Sequence, residues 1–258
     1  MSTLILSHGD KGGVGKSTVA ITIASRLYEQ GAHIGIIEAD ATGGKSNVGG
    51  MPDVGPRFAS RINQIATLPL QDTGRDAEQS VARMIQVIEH WDCDYIIMNT
   101  PANASTTLEQ DNIGSMMAAL LGEIGINIRV TYSLFPSQRS TVTAGKAASG
   151  HIMSAASHAA LILNEYLGDT PAFESQLQQS GVLKGLPRVQ LARMSPDIAQ
   201  LIVDNGDENL AELTAKDGPL DMTSRFRLNR WYRESADALL SGIGIDLNDH
   251  QEVAHEQR

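Results

Sequence analysis

Cysteine is almost missing: Cys93 is the only one in 258 residues, which excludes an internal disulfide and any metal centre built from several thiolates of one chain. A reducing compartment, the cytoplasm, is the expected setting. Basic charge is also scarce, with 20 Lys and Arg against 30 Asp and Glu and a formal net charge of −10. That balance excludes a surface coated in basic side chains, so any nucleic-acid contact has to come from a local patch. No run approaches the about 18 consecutive apolar residues that a bilayer demands. Nothing ahead of the first glycine run resembles a charged segment followed by an apolar export core. The expectation is a chain neither exported nor membrane-spanning. Repeats with a period of about 20 to 50 residues are absent as well. What is present is apolar residue, 41% of the chain, enough for one large α/β domain with a substantial core.

The apolar pattern alternates between short runs and helical stripes. Thr3–Ser7 is a short apolar run that stops at Gly9, and Ser17 onward shows helical spacing through Val19, Ile23 and Leu27 before Gly31. Further strands are predicted at His33–Ile37, Tyr95–Met98, Ile126–Leu134, Ala159–Leu163 and Pro187–Met194. Between them, residues 76–91 place Val81, Met84, Ile85, Ile88 and Trp91 on one helical face, and Thr141–Ala156 is compatible with another helix. A last helix over Thr223–Ser241 carries Leu228, Trp231, Tyr232, Ala236, Leu239 and Leu240 as its buried stripe. Strands alternating with helices imply right-handed crossovers and a doubly wound, mostly parallel sheet with helices on both faces. Ligands on such sheets sit at the C-terminal strand ends. Ala41–Pro56, dense in Gly, Pro and Asn, is expected as a mobile surface loop. Asp246–Arg258 is expected as a polar, disordered tail after a single domain over 1–245.

The glycine run sits between the first strand and the first helix. Backbone N–H groups point together at a polyphosphate only where side chains are absent, and a helix N-terminus adds a favourable dipole. In this setting Lys16 bridges the β and γ phosphates and the Ser17 hydroxyl ligates Mg²⁺. The general pattern G-x-x-x-x-G-K-[ST] fails at its first position, which Asp10 occupies.

Lys11-Gly12-Gly13-Val14-Gly15-Lys16-Ser17, followed by Thr18, resembles the deviant Walker A pattern K-G-G-x-G-K-[ST] of the ParA/MinD family of dimeric ATPases. The resemblance implies a P-loop NTPase fold and ATP with Mg²⁺ as ligands. It also implies a role for the second lysine: Lys11 reaches across a two-fold interface to the nucleotide of the other subunit, so that ATP drives homodimer formation. A triphosphate with Mg²⁺ leaves surplus negative charge, which a second ammonium offsets most strongly in a closed, dry interface.

Other positions follow by the same resemblance. In Glu38-Ala39-Asp40, Asp40 matches the acid that orients the attacking water, and Glu38 takes a place on the Mg²⁺ side; the residues alone also fit a solvated acidic pair. Asn99-Thr100-Pro101-Ala102 stands where relatives have D-T-P-P. An amide at 99 still meets Mg²⁺ through a bound water but brings no charge, so metal affinity, turnover or both are weakened. Asn164, ending a strand, is either an adenine contact or a loop cap.

The branches of the family divide by cargo. One cysteine does not supply the iron–sulfur members' shared cluster, and the C-terminal stretch, acidic apart from Arg258, disfavours a membrane-docking helix. The ParA-like branch binds DNA nonspecifically as an ATP dimer. Arg225, Arg227, Arg230 and Arg233 form a candidate patch, and they equally fit pairing with Asp204, Asp207, Glu208 and Asp221. The leading expectation is a cytoplasmic, ParA-like ATPase with slow hydrolysis stimulated by a protein activator, partitioning plasmid or other mobile DNA. The alternatives are an ATP-binding regulator or adaptor with little turnover, as in conjugative transfer, and a metabolic ligase or kinase resembling dethiobiotin synthetase.

Overall fold

The structure, a computed structural model, describes residues 2–9, 11–40, 54–70, 74–102, 104–109, 112–168 and 170–247. Asp10, most of the predicted loop Ala41–Pro56, and the tail from residue 248 onward lie outside the described residues.

Among these residues a seven-stranded sheet runs in the order β3-β2-β4-β1-β5-β6-β7 with all pairings parallel. Its strands are β1 (Thr3–Gly9), β2 (Ile34–Glu38), β3 (Ile65–Thr67), β4 (Tyr95–Asn99), β5 (Asn127–Leu134), β6 (His158–Asn164) and β7 (Arg188–Leu191). The helices are α1 (Lys16–Glu29), α2 (Gly74–Glu89), α3 (Ala104–Glu109), α4 (Asn112–Glu123), α5 (Gln138–Ala148), α6 (His151–Ala155), α7 (Thr170–Gln179), α8 (Pro196–Asp204), α9 (Leu210–Thr214) and α10 (Met222–Gly242).

Strand periodicity explains why helices cover both faces. Successive side chains of a strand point to opposite sides, so Leu4 and Leu6 of β1 join one core with residues of α2 to α7, while Ile5 joins another with α1 and α8 to α10. Strand β4 divides the same way: Ile96 and Met98 face the first core, Tyr95 and Ile97 the second. Each fully buried aliphatic side chain is worth roughly 1.5–3 kcal/mol of transfer free energy. A doubly wound sheet therefore needs near-continuous apolar strands, and β1, β2 and β4 are buried throughout.

Two predicted elements come out differently. The helix expected over Thr141–Ala156 is two helices, α5 and α6, with Gly150 extended between them at φ −84° and ψ −174°. The Glu109 carboxylate inserts at the break and accepts from the backbone N–H groups of Ile152 at 3.1 Å and Met153 at 3.3 Å. A Cβ on Gly150 would stand 2.4 Å from that carboxylate, so only glycine admits it. Trp91 lies beyond the end of α2 rather than on its face, and packs against Gly35 of β2. On α10, Trp231 is half-buried, with Nε1 donating to the Ala192 carbonyl at 2.8 Å.

One buried cation fastens the segment after the undescribed loop. Arg57 is fully buried and its guanidinium donates to the carbonyls of Ile202 (2.8 Å), Asn205 (3.2 Å) and Glu208 (2.7 Å), closing the C-terminal end of α8. Burial pushes its pKa down to about 10, which leaves it charged at neutral pH.

Candidate functional site

The glycine loop lies at the C-terminal end of β1, between β4 and β5. Helix α1 begins at Lys16 after Gly15, whose φ of 95° belongs to the left-handed region, and no side chain caps its N-terminus. A helix start that follows a glycine loop is where backbone N–H groups and the helix dipole can meet an anion. A Cβ on Gly15 would also lie 2.7 Å from the Asn164 amide nitrogen. The loop is tied from below by Ser7 Oγ, which donates to the Lys16 carbonyl at 2.7 Å.

The two lysines part company here. Lys16 is 7% exposed and turns inward, its Nζ donating to the carbonyl of Lys11 at 3.0 Å. Lys11 is exposed.

Beside the helix start, Asn99 and Glu38 come together because β2 and β4 pair in register with Glu38 opposite Asn99. Asn99 Nδ2 donates to Glu38 Oε2 at 3.2 Å and reaches Ser17 Oγ at 3.3 Å. Glu38 Oε1 accepts from the Gly55 N–H at 2.6 Å. Glu38 and Asn99 are buried, at 5% and 2% exposed, yet Asn99 Oδ1 has no hydrogen-bond partner. An orphaned buried acceptor next to a hydroxyl and a carboxylate fits a hydrated cation. Among the described residues no group of three or more His, Cys, Asp or Glu is placed to hold a metal. A Mg²⁺ ion here would be met by the Ser17 hydroxyl, with Asn99 and Glu38 beside it, and Mg²⁺ commonly keeps several waters and binds substrate phosphates. Asp40 follows β2 and is half-buried.

Residues 1–74 match the ParA family, described as NUBPL iron-transfer P-loop NTPase. That segment contains the whole glycine loop and Glu38-Ala39-Asp40. Over those residues the chain is similar to the ParA/MinD family of P-loop NTPases.

No curated protein sequence matches the chain. Solved structures do, at identities that speak for the fold alone. The septum site-determining protein MinD of Pyrococcus horikoshii, complexed with Mg-ADP, is 15% identical over 100% of this chain and 99% of its own, with a TM-score of 0.51. Apo McdA of Cyanothece is 13% identical over 97% and 99%, with a TM-score of 0.51. A putative plasmid partition protein of Borrelia burgdorferi bound to AMPPNP is 12% identical over 91% and 98%, with a TM-score of 0.50.

Asn164, beyond the matched segment, serves first as a cap: its Oδ1 accepts from the Tyr166 N–H at 3.1 Å, while its amide nitrogen lies against Gly15. The iron-transfer description finds no thiol in the matched segment. Cys93 is buried, and burial, with Asp92 and Asp94 adding to it, pushes its thiol up to about 11.

The α10 arginines are paired, though not with the acids that the sequence suggested. Arg227 binds Asp197 through both nitrogens and Ser195 Oγ at 3.0 Å; Arg230 binds Glu234 at 3.1 Å. Arg233 binds Glu29, and Arg225 donates to the Lys216 carbonyl. Phe226, between them, is 70% exposed. Among the described residues no helix is long and apolar enough to cross a membrane.

Sequence reasoning missed a polar cluster beneath the loop. His8 Nδ1 lies 3.3 Å from Thr100 Oγ1, and its Nε2 faces Ser105 Oγ at 3.5 Å and Glu109 Oε1 at 3.7 Å. Ser105 also meets Tyr132 OH at 3.0 Å. Burial, with the Lys16 ammonium adding to it, pushes the imidazole down to about 3, and burial pushes the Glu109 carboxyl up to about 8 despite its two backbone donors. Both shifts favour the uncharged forms, and at 3.7 Å the two groups approach without a hydrogen bond. The cluster is sealed from solvent and joins the strand before the loop to α3 and α6.

Proposed function

We propose that the chain is an ATP-dependent dimerisation switch with slow hydrolysis, built to position cargo, with DNA the favoured cargo. The observation that supports this reading is the different burial of the two lysines, Lys16 buried and turned into its own loop and Lys11 exposed. In this reading Lys16 serves the nucleotide of its own chain and Lys11 that of a neighbour.

In this reading the backbone N–H groups of Gly12, Gly13, Val14, Gly15, Lys16, Ser17 and Thr18 hold the phosphates of ATP, and Lys16 supplies the charge between the outer two. Ser17 Oγ is the direct protein ligand for Mg²⁺, with Asn99 Oδ1 and Glu38 acting through water. When bound, Mg²⁺ offsets charge on the phosphate oxygens. Asp40 orients the attacking water, Lys11 stabilises the charge that develops as the terminal phosphate departs, and Asn164 borders the base. An activating protein partner is part of the proposal. Light scattering in saturating Mg·ATP tests it: a dimer that reverts to monomer in ADP is expected, and an obligate monomer refutes the switch.

Pairing of the α10 arginines does not remove them as a DNA surface. Exposed ion pairs are worth about 0–1 kcal/mol, so phosphates can displace Asp197 or Glu234. DNA binding that needs ATP and weakens steeply with salt is expected from gel-shift titrations; equal binding without ATP counts against this cargo. Asn99 favours a second reading, a regulator or adaptor with little turnover. Phosphate release from the parent chain and Asn99→Asp separates the two: a large gain in the variant favours the adaptor.

A further inference from the structure

Lys11 and Phe135 sit on two loops that the sheet brings side by side. Lys11 opens the described part of the loop after β1, and Phe135 is the first residue after β5; these strands are neighbours, with Gly9 opposite Ser133. Lys11 Nζ stands 3.4 Å from the centroid of the Phe135 ring, well inside the about 6 Å within which an ammonium is drawn to a ring face. Each partner is held from behind. The Lys11 carbonyl accepts from Lys16 Nζ at 3.0 Å, and the Phe135 carbonyl accepts from the Ser137 N–H at 2.8 Å. Phe135 is only half-buried, so one part of its ring packs while the face meets the charge.

We propose that Phe135 is the resting seat of Lys11: in the unpaired chain the ring holds the ammonium on its own subunit, and dimerisation requires the lysine to leave it. The inference rests on the reading of Lys11 as the cross-subunit lysine. Phe135 is then a positioning residue that acts through Lys11 and sets a threshold for association.

Magnitudes decide which contact wins. An exposed cation–π contact favours the seated lysine by about two- to fivefold, and two seats in a symmetric pair by about five- to thirtyfold. A phosphate charge about 4 Å away at an effective dielectric of about 20 favours the crossed lysine by on the order of a thousandfold. The ring therefore retains Lys11 while no triphosphate faces it, and yields once a loaded partner arrives. An unloaded chain meeting another gains nothing that repays the loss of both seats.

The test uses the full chain, with lysines labelled with ¹³C at the ε carbon and Lys11→Arg to assign the signal. Without nucleotide, the Lys11 resonance is expected upfield of solvated lysines through the ring current of Phe135, and Phe135→Leu is expected to return it to the solvated position. In Mg·ATP, Phe135→Leu is expected to dimerise at a protein concentration about five- to thirtyfold lower than the parent. Phe135→Trp, which offers the stronger ring, is expected to need a higher one. In a Lys11→Ala background, Phe135→Leu is expected to leave the upfield region and the association state unchanged, which a purely structural role of the ring would not produce.

A solvated-lysine signal for Lys11 in the parent, or equal thresholds for the parent and both ring variants, overturns the seat. Should Phe135→Leu fail to fold, the tryptophan variant and the parent spectrum still decide. Should the parent remain monomeric in saturating Mg·ATP, the dimer-switch reading fails by itself, and the nucleotide-free spectrum separately shows whether the ring holds the lysine.

Discussion

Asn99 donates its side-chain amide to the carboxylate of Glu38 across paired strands, Nδ2 to Oε2 at 3.2 Å, with Ser17 Oγ 3.3 Å from the same nitrogen. The acid proposed for the metal side thus stands on β2 and the amide on β4. The charge that Asn99 lacks is one strand away, buried and already oriented by the Gly55 N–H.

Asn99→Asp places a second carboxylate against Glu38 and removes the donor between them. Like charges in one buried site disfavour ionisation, and the lost hydrogen bond adds to the penalty. Without Mg²⁺ the variant is expected to be less stable than the parent by about 1–3 kcal/mol. Adding Mg·ATP is expected to stabilise it more than the parent. Calorimetric melts with and without the metal check this, and identical responses would show that the pair does not face the metal.

The two lysines are expected to fail differently. Lys16→Ala removes a charged donor and is expected to weaken nucleotide binding by roughly 10- to 100-fold. Lys11→Ala is expected to leave the affinity of the monomer for nucleotide within about twofold, since the proposed switch gives Lys11 to the neighbour's site, and to abolish association in Mg·ATP. Fluorescent-nucleotide titration paired with light scattering separates the effects; parallel losses would contradict the division of labour.

Arg57→Met removes the donor from three carbonyls at and just beyond the end of α8, that of Ile202 buried and those of Asn205 and Glu208 partly buried. The expected cost is at least about 3 kcal/mol, a fall in Tm of roughly 6–12 °C for a chain of this size. Urea unfolding measures it directly. A change under about 0.5 kcal/mol, the size of an ordinary surface substitution, would mean that water replaces the guanidinium.

Glu109 and His8 impose opposite pH slopes. Glu109 titrates near 4.5 ordinarily and at about 8 in the fold, so its contribution is whole below 4.5 and declines as pH rises to about 8. His8 falls from 6.5 to about 3, so its contribution is whole above 6.5 and declines as pH drops. Between 4.5 and 6.5 they oppose each other; from 6.5 to 8 Glu109 acts alone. Glu109→Gln is expected to abolish the loss of stability in that upper window, read as the urea midpoint against pH. Its facing groups, His8, Ser105 and the N–H groups of Ile152 and Met153, carry no titration there that would mask the effect. Parallel profiles for variant and parent would count against a protonated Glu109.

Much of this was legible in advance because it is local. Apolar runs such as Tyr95–Met98 declare buried strands, and the run Gly12 to Ser17 declares a phosphate loop, since strand, glycines, lysine and helix start follow one another in the chain. Lys11 and Lys16 could be singled out by spacing, and Glu38 and Asp40 by their place after a strand. What the chain order could not state is which strand lies beside which. Only the order β2-β4-β1-β5 sets Glu38 against Asn99, Phe135 under Lys11 and Glu109 into the break at Gly150, because each contact joins residues far apart in sequence through sheet pairing and packing. The residue types therefore specified a glycine loop with two lysines, while the tertiary structure decided how each lysine is held and which carboxylate stands beside Asn99, for charge and hydrogen bonding act across space and not along the chain.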